Sequence, residues 1–172
     1  MPRKPFRMYK QIRGQAYTRK EYMGGVPNIR ISNFNVGDTR ADFPVELVMV
    51  SRELCQVRHN ALEAARVAAT RVLQKTGPMS FHLKILIYPH IVLRENKIAT
   101  GAGADRVSQG MRAAFGKGVG LAARIKPGQK LILIRTTPQY YPQAKEAMRK
   151  ARMKMPTPTR IVVQKGRELL NA

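Results

Sequence analysis

The charge of this chain is concentrated, and its placement limits what the chain can fold around. Residues 1–30 hold eight Lys and Arg against one acid, residues 94–130 eight against two, and residues 145–167 eight against one. The remaining stretches carry eight basic and six acidic side chains, so the middle is nearly balanced. The whole comes to +22 over 172 residues. Self-repulsion of that size works against compaction unless a polyanion neutralises it. This disfavours a small-molecule enzyme acting alone. Three basic runs with so little acid between them are also hard to read as ordinary solvated faces. Hydrophobic residues make up 44%, enough for a real core, and the length predicts a single domain.

Other classes fall away quickly. One cysteine, Cys55, can neither close an internal disulfide nor build a Cys-based zinc site. It reads as a buried or half-buried thiol in a reduced, intracellular setting. Met1-Pro2-Arg3-Lys4-Pro5 lacks the apolar stretch of a signal peptide. Runs such as Leu131-Ile132-Leu133-Ile134 are far too short to span a bilayer. No amphipathic basic helix with large apolar residues stands out, so no membrane partner is expected.

Residues 1–28 read as an extended basic arm. They show no sustained period, and Pro2, Pro5, Gly14, Gly24, Gly25 and Pro27 punctuate them. Aromatics are interleaved with bases: Phe6 beside Arg7, Tyr9 beside Lys10, Tyr17 near Arg19, Tyr22 near Lys20. That mixture suits RNA, where phosphates attract cations and unpaired bases stack on flat rings. The alternative is a disordered leader with accidental aromatics. Arg3, Lys4, Arg7, Tyr9, Lys10, Arg13, Arg19 and Lys20 are the RNA-binding candidates here.

Residues 29–172 read as a single α+β domain. Residues 44–52 look like a strand. Asn60 fits a helix N-cap with Glu63 three positions on, and Ala61, Ala65, Ala68 and Val72 fall on one helical face. Gly77-Pro78 supplies the stop. Phe81, Leu83, Ile85 and Ile87 alternate with His82 and Lys84, which predicts a half-buried strand with His82 at the surface or facing RNA. Ile91-Val92-Leu93 suggests a further short strand. Leu121, Ala123 and Ile125 alternate with Arg124 and Lys126. Pro127-Gly128 then fits the middle of a type II turn and Leu131–Ile134 a returning strand, so 121–135 reads as a hairpin.

Pro142 suits a first helical turn. Ala144, Ala147, Met148 and Ala151 form the apolar face that follows. Lys145, Arg149 and Arg152 line another face, and with Lys154 they are the second group of RNA-binding candidates. Thr159, Ile161 and Val163 make a closing strand. Strand pairs with two helices favour a two-layer α+β sandwich of mixed or antiparallel strands over a doubly wound sheet.

Residues 99–120 form a long loop, six glycines in 22 residues with few apolar anchors. A segment of that length is usually functional or disordered. Gly101-Ala102-Gly103 begins like a dinucleotide fingerprint, but Arg106 stands where glycine is required. Gly116-Lys117 is followed by Gly118 rather than Ser or Thr, so it is no phosphate-binding P-loop. A flexible backbone that approaches a polyanion fits better. Arg106, Arg112 and Lys117 would neutralise phosphate, and Ser108 and Gln109 would reach a ribose hydroxyl or a base edge. Met111 and Phe115 either stack or close the base of the loop as core residues.

These residues also carry a resemblance. Arg94-Glu95-Asn96-Lys97, Gly103-Ala104-Asp105-Arg106, Gly110-Met111-Arg112-Ala113-Ala114-Phe115-Gly116-Lys117, Ala123-Arg124-Ile125 and Gly128-Gln129 closely resemble a family of large-subunit ribosomal proteins. This is the archaeal and eukaryotic family L-ten-e, the counterpart of bacterial L-sixteen. Arg3-Lys4-Pro5, Arg7-Met8-Tyr9 and Leu62-Glu63-Ala64-Ala65-Arg66 extend the likeness to nearly the whole chain. The ending at Ala172 is similar to archaeal members, and Ala99-Thr100-Gly101-Ala102 differs from a Cys-containing eukaryotic form.

The resemblance implies a hammerhead-like α+β sandwich and a place on large-subunit rRNA near the peptidyl-transferase centre. It implies a loop, 99–117 here, that points at the tRNA acceptor end. Neighbouring ribosomal proteins would be partners, and a homo-oligomer is not expected. The setting implied is the cytoplasmic ribosome.

No protein catalyst is legible. His59, His82 and His90 are isolated, and the ten acids form no paired-carboxylate site. No metal-binding helix motif or nucleophile elbow occurs. No catalytic residue, metal or cofactor is expected.

Overall fold

The computed structural model describes Pro5, residues 8–10, Ile12, Gly14, and residues 20–99, 101–103, 110–112 and 114–170. Among the described residues, eight strands and two α-helices follow in chain order: β1 (Asn35–Gly37), β2 (Val45–Ser51), β3 (Cys55–Arg58), α1 (His59–Leu73), β4 (Phe81–Ile85), β5 (Ile91–Glu95), β6 (Lys117–Ile125), β7 (Lys130–Thr136), α2 (Tyr141–Arg152) and β8 (Thr159–Lys165). They form an α+β fold with two open sheets. One has five strands in the order β1-β4-β7-β2-β8 and the other three in the order β3-β6-β5. Every ladder is antiparallel.

The core lies where α1 and α2 meet the larger sheet. Leu47 stands opposite Ile134 on one side and Val163 on the other, and Leu83 pairs with Ile134. Val45, Leu47 and Met49 of β2 are fully buried, as are Phe81, Leu83, Ile132 and Ile134. Each such side chain contributes roughly 1.5–3 kcal/mol on burial. Ala144, Ala147, Met148 and Ala151 are all buried, so the face predicted for α2 holds. They pack α2 against α1, whose buried positions include Leu62, Ala65, Ala69, Val72 and Leu73. Alanine on both surfaces lets the helices approach closely. Ala61 and Ala68, expected on that face, are only half-buried, because Leu62 and Leu73 turn the helix toward the sheet.

Three local expectations are corrected. The capping box at Asn60 and Glu63 does not form. β3 runs directly into α1, which begins at His59, and the N-cap residue Arg58 makes no side-chain capping bond. With no loop to cap, Glu63 turns its carboxylate to other partners.

Residues 121–135 are not a hairpin. Pro127-Gly128 does make the predicted turn, with Gly128 at φ +79° and the Gln129 amide donating to Lys126 O at 3.2 Å. The strands it joins then part company. β6 pairs with β3 and β5, whereas β7 pairs with β4 and β2. A type II turn splays its flanking strands, since its twist opposes theirs. The turn instead docks on the end of β2, through Gly128 N–H to Ser51 O and Ser51 N–H to Gln129 O.

His82 is buried, with 6% of its surface exposed, rather than at the surface. β4 is an interior strand, and the ladders set Gly37 and Arg135 on either side of His82. Glycine at position 37 is required twice over. Its φ is +92°, and a Cβ there would collide with the Phe81 carbonyl oxygen. β1 and β3 are short, and no run of alternation announces them.

Candidate nucleic-acid interface

The amino-terminal segment is anchored on the small sheet. Gln56 of β3 donates its backbone N–H to Tyr9 O at 2.8 Å and its side-chain amide to Met8 O at 3.0 Å. Arg124 of β6, which the β3–β6 ladder sets opposite Gln56, donates to Gly14 O at 2.7 Å. The described part of the arm is therefore tied to the β3 edge of the small sheet. Lys10 ion-pairs with Glu53 at 3.3 Å. Lys20 begins a short 3-10 turn, Lys20–Tyr22. Arg3, Lys4, Arg7, Arg13 and Arg19 lie outside the described residues.

α2 presents the second basic group. Lys145, Arg149, Arg152 and Lys154 are all exposed, opposite the buried alanines. Arg149 binds Glu146 through two hydrogen bonds, at 2.7 and 2.8 Å, and Lys150 stands 3.8 Å from the same carboxylate. The hydrogen bonds from Arg149 hold the Glu146 carboxyl below the ordinary carboxylate range. Lys145, Arg152 and Lys154 have no ion pair among the described residues. Arg149, Lys150 and Arg152 also sit in the last turn of the helix, where the exposed carbonyls favour cations.

The fold brings Tyr9 of the arm and Lys154 after α2 together beside α1. A groove of about 540 Å³ is lined by Arg30, Asn60, Glu63, Ala64, Val67, Ala68, Arg71 and Lys154. A second hollow of about 330 Å³, lined by Tyr9, Gln56, Arg58, Ala61, Lys154 and Pro156, shares Lys154 with it. Tyr9 of the arm and Lys154 after α2 are 145 positions apart in the chain, yet they wall one hollow. Arg30, Arg58 and Arg71 add cations that the sequence does not single out as a site. The available signal is Ala64, Val67, Ala68 and Arg71 at i, i+3, i+4 and i+7. That is a second, low-profile face of α1, turned away from the core.

Polar contacts order this region. Arg66 donates two hydrogen bonds to Glu63, whose carboxylate also accepts from the backbone and hydroxyl of Ser32. His59 is buried, and its Nδ1 accepts the Arg30 N–H at 3.3 Å. Burial, then Arg30 and Arg58, push its imidazole below the ordinary value. Cys55 is fully buried, with the Thr157 hydroxyl 3.2 Å from its sulfur.

The loop is shorter than expected, because β6 begins at Lys117 and places that residue opposite Glu95. Arg112 is exposed, and Met111 is 75% exposed. Phe115 is 56% exposed and not part of the core, and the Arg94 guanidinium lies over its ring at 4.0 Å from the centroid. Arg106, Ser108 and Gln109 lie outside the described residues. No group of His, Cys, Asp and Glu fit to hold a metal occurs among the described residues. No described helix is long and apolar enough to cross a membrane.

Residues 12–162 match the family described as ribosomal protein L16p/L10e. Three archaeal relatives each carry the name large ribosomal subunit protein uL16. The protein of Archaeoglobus fulgidus is 55% identical, over 99% of this chain and 98% of its own length. That of Methanocella arvoryzae is 54% identical, over 99% of each. That of Methanoculleus marisnigri is 56% identical, over 96% of this chain and 98% of its own. With the α+β fold and the basic surfaces already described, these matches place the chain in the ribosomal protein L16p/L10e family, in its archaeal uL16 form.

Proposed function

We propose that this chain is a structural constituent of the large ribosomal subunit in the cytoplasm, binding rRNA near the peptidyl-transferase centre. The amino-terminal arm and the α2 face grip rRNA, and the 99–117 loop reaches tRNA. The observation that carries the reading is the hollow shared by Tyr9 and Lys154 beside the Arg30–Arg71 groove. It joins an aromatic ring to several cations along one track, the combination that follows an RNA strand by phosphate contact and stacking. The family membership supports the same reading. Neighbouring ribosomal proteins are the protein partners, and the chain acts as one copy per particle rather than as a homo-oligomer. It carries no catalysis of its own, and the chemistry of translation belongs to RNA.

Sedimentation tests this. Tagged protein is expected to travel with large subunits at physiological salt, and its absence from them would sink the reading. The loop is tested apart from docking, by replacing Arg106 and Arg112 with Ala. Near-normal incorporation with impaired tRNA handling or subunit maturation is expected. Lost incorporation with normal peptide transfer would contradict the role given to the loop.

A further inference from the structure

The root of the loop holds a second, separate feature. A pocket of about 510 Å³ opens between the end of β5 and the start of β6, lined by Glu95, Asn96, Lys97, Phe115, Lys117 and Val119. Its size falls in the range of about 300–1,000 Å³ usual for small-ligand sites. Arg94 covers the Phe115 ring at 4.0 Å but does not line the pocket. The ring is thus held by the guanidinium and also borders the cavity. The ring's position is fixed from behind as well. A Cβ at Gly116 would collide with the Glu95 backbone, so the chain after Phe115 passes tightly against β5.

We propose that this pocket takes one unpaired RNA base, stacked on Phe115 and flanked by phosphates on Lys97 and Lys117. The chemistry of the walls selects this ligand. An aromatic ring already held by a guanidinium is a stacking platform for a base, and any base offers a face to it. Asn96 supplies an amide with both donors and an acceptor for a base edge. Lys97 and Lys117 are exposed on the pocket walls, placed to meet the backbone on either side of a splayed nucleotide. The proposal rests on the ribosomal reading above and adds to it an rRNA contact at the loop root, distinct from the loop tip. Docking a base there would tie the loop root to rRNA.

The test uses the full chain in assembled large subunits. Phe115→p-benzoylphenylalanine, irradiated in the particle, is expected to crosslink to a single rRNA nucleotide. In parallel, chemical probing should show one nucleotide become reactive in Phe115→Ala particles and stay protected in Phe115→Tyr. On a short oligoribonucleotide carrying a fluorescent base, Phe115→Ala should weaken binding about 5- to 150-fold, the fold-change that roughly 1–3 kcal/mol of base stacking represents. Crosslinks to protein only, or none, would overturn the proposal, as would a reactivity pattern unchanged by Phe115→Ala. Wild-type chain that fails to enter the subunit would overturn the ribosomal reading instead, which keeps the two failures distinct.

Discussion

Glu63 and Arg66 form a two-pronged ion pair, with hydrogen bonds of 2.6 and 2.9 Å, that also clasps Ser32. The pair ties the segment before β1 to the groove face of α1. The Arg66 and Glu63 side chains are largely shielded, at 13% and 22% exposure, so solvent screens them little.

The hydrogen bonds from Arg66 hold the Glu63 carboxyl below its ordinary value of 4.5. A depressed carboxylate contributes stability above its unfolded value and loses it as pH falls through the folded one. Glu63→Gln should cost about 1–3 kcal/mol at neutral pH. That deficit should shrink steadily below pH 4.5, as measured by urea unfolding. A deficit that stays constant into strong acid would refute the assignment.

His82 titrates with the same sign for a different cause. Burial, then Arg135 and Lys84, lower its imidazole from the ordinary 6.5, with Asp38 opposing. Its Nε2 has no hydrogen-bond partner among the described residues, so no hydrogen bond from that nitrogen offsets a buried charge. Stability is therefore complete above about pH 6.5 and declines as pH falls below it. In His82→Gln the loss of melting temperature between about pH 7 and pH 5 should be smaller than in the wild type. An equal loss would place the acid sensitivity elsewhere.

Two glycines separate backbone strain from crowding. Gly128 has positive φ with open space around it, and Gly37 has positive φ with the Phe81 carbonyl in the way. Gly128→Ala should cost about 1–2 kcal/mol from the left-handed backbone alone. Gly37→Ala should cost clearly more and loosen β1 from β4, seen as faster amide exchange at the edge of the larger sheet. Equal costs would mean that β1 shifts freely.

The arm should dominate the salt dependence of RNA binding. Deleting residues 1–13 removes five bases, Arg3, Lys4, Arg7, Lys10 and Arg13. The slope of log affinity against log salt should flatten by up to roughly 0.9 for each phosphate left without its cation on a duplex, and by less on single strands. An unchanged slope would shift the grip to α2 and Lys154.

What is legible in the sequence is local. The α2 face is a matter of helical period and small side chains, and Ala144, Ala147, Met148 and Ala151 are all buried as expected. The Pro127-Gly128 turn follows from dihedral preference alone, and it forms. Partner choice is not legible. Alternation along 121–125 and the apolar run 131–134 show that two strands exist but not which strands they pair with, and the turn carries them into different sheets. The burial of His82 escapes the sequence for the same reason, since only the flanking strands reveal that β4 is interior. The groove over α1 needs Arg71 and Lys154 in one place, and the hollow beside it needs Tyr9 and Lys154, and no spacing rule reaches that far along the chain.

The β5–β6 ladder closes at Glu95 opposite Lys117, and the described residues between 96 and 116 pair with no strand of either sheet. Lengthening such a segment is inexpensive, about 0.6 kcal/mol for each doubling. The scaffold and the reach of its loop are thus separable under selection. Descendants of this fold can vary how far the loop extends while inheriting the same core, with Phe115 and Gly116 as the fixed point from which the reach is measured.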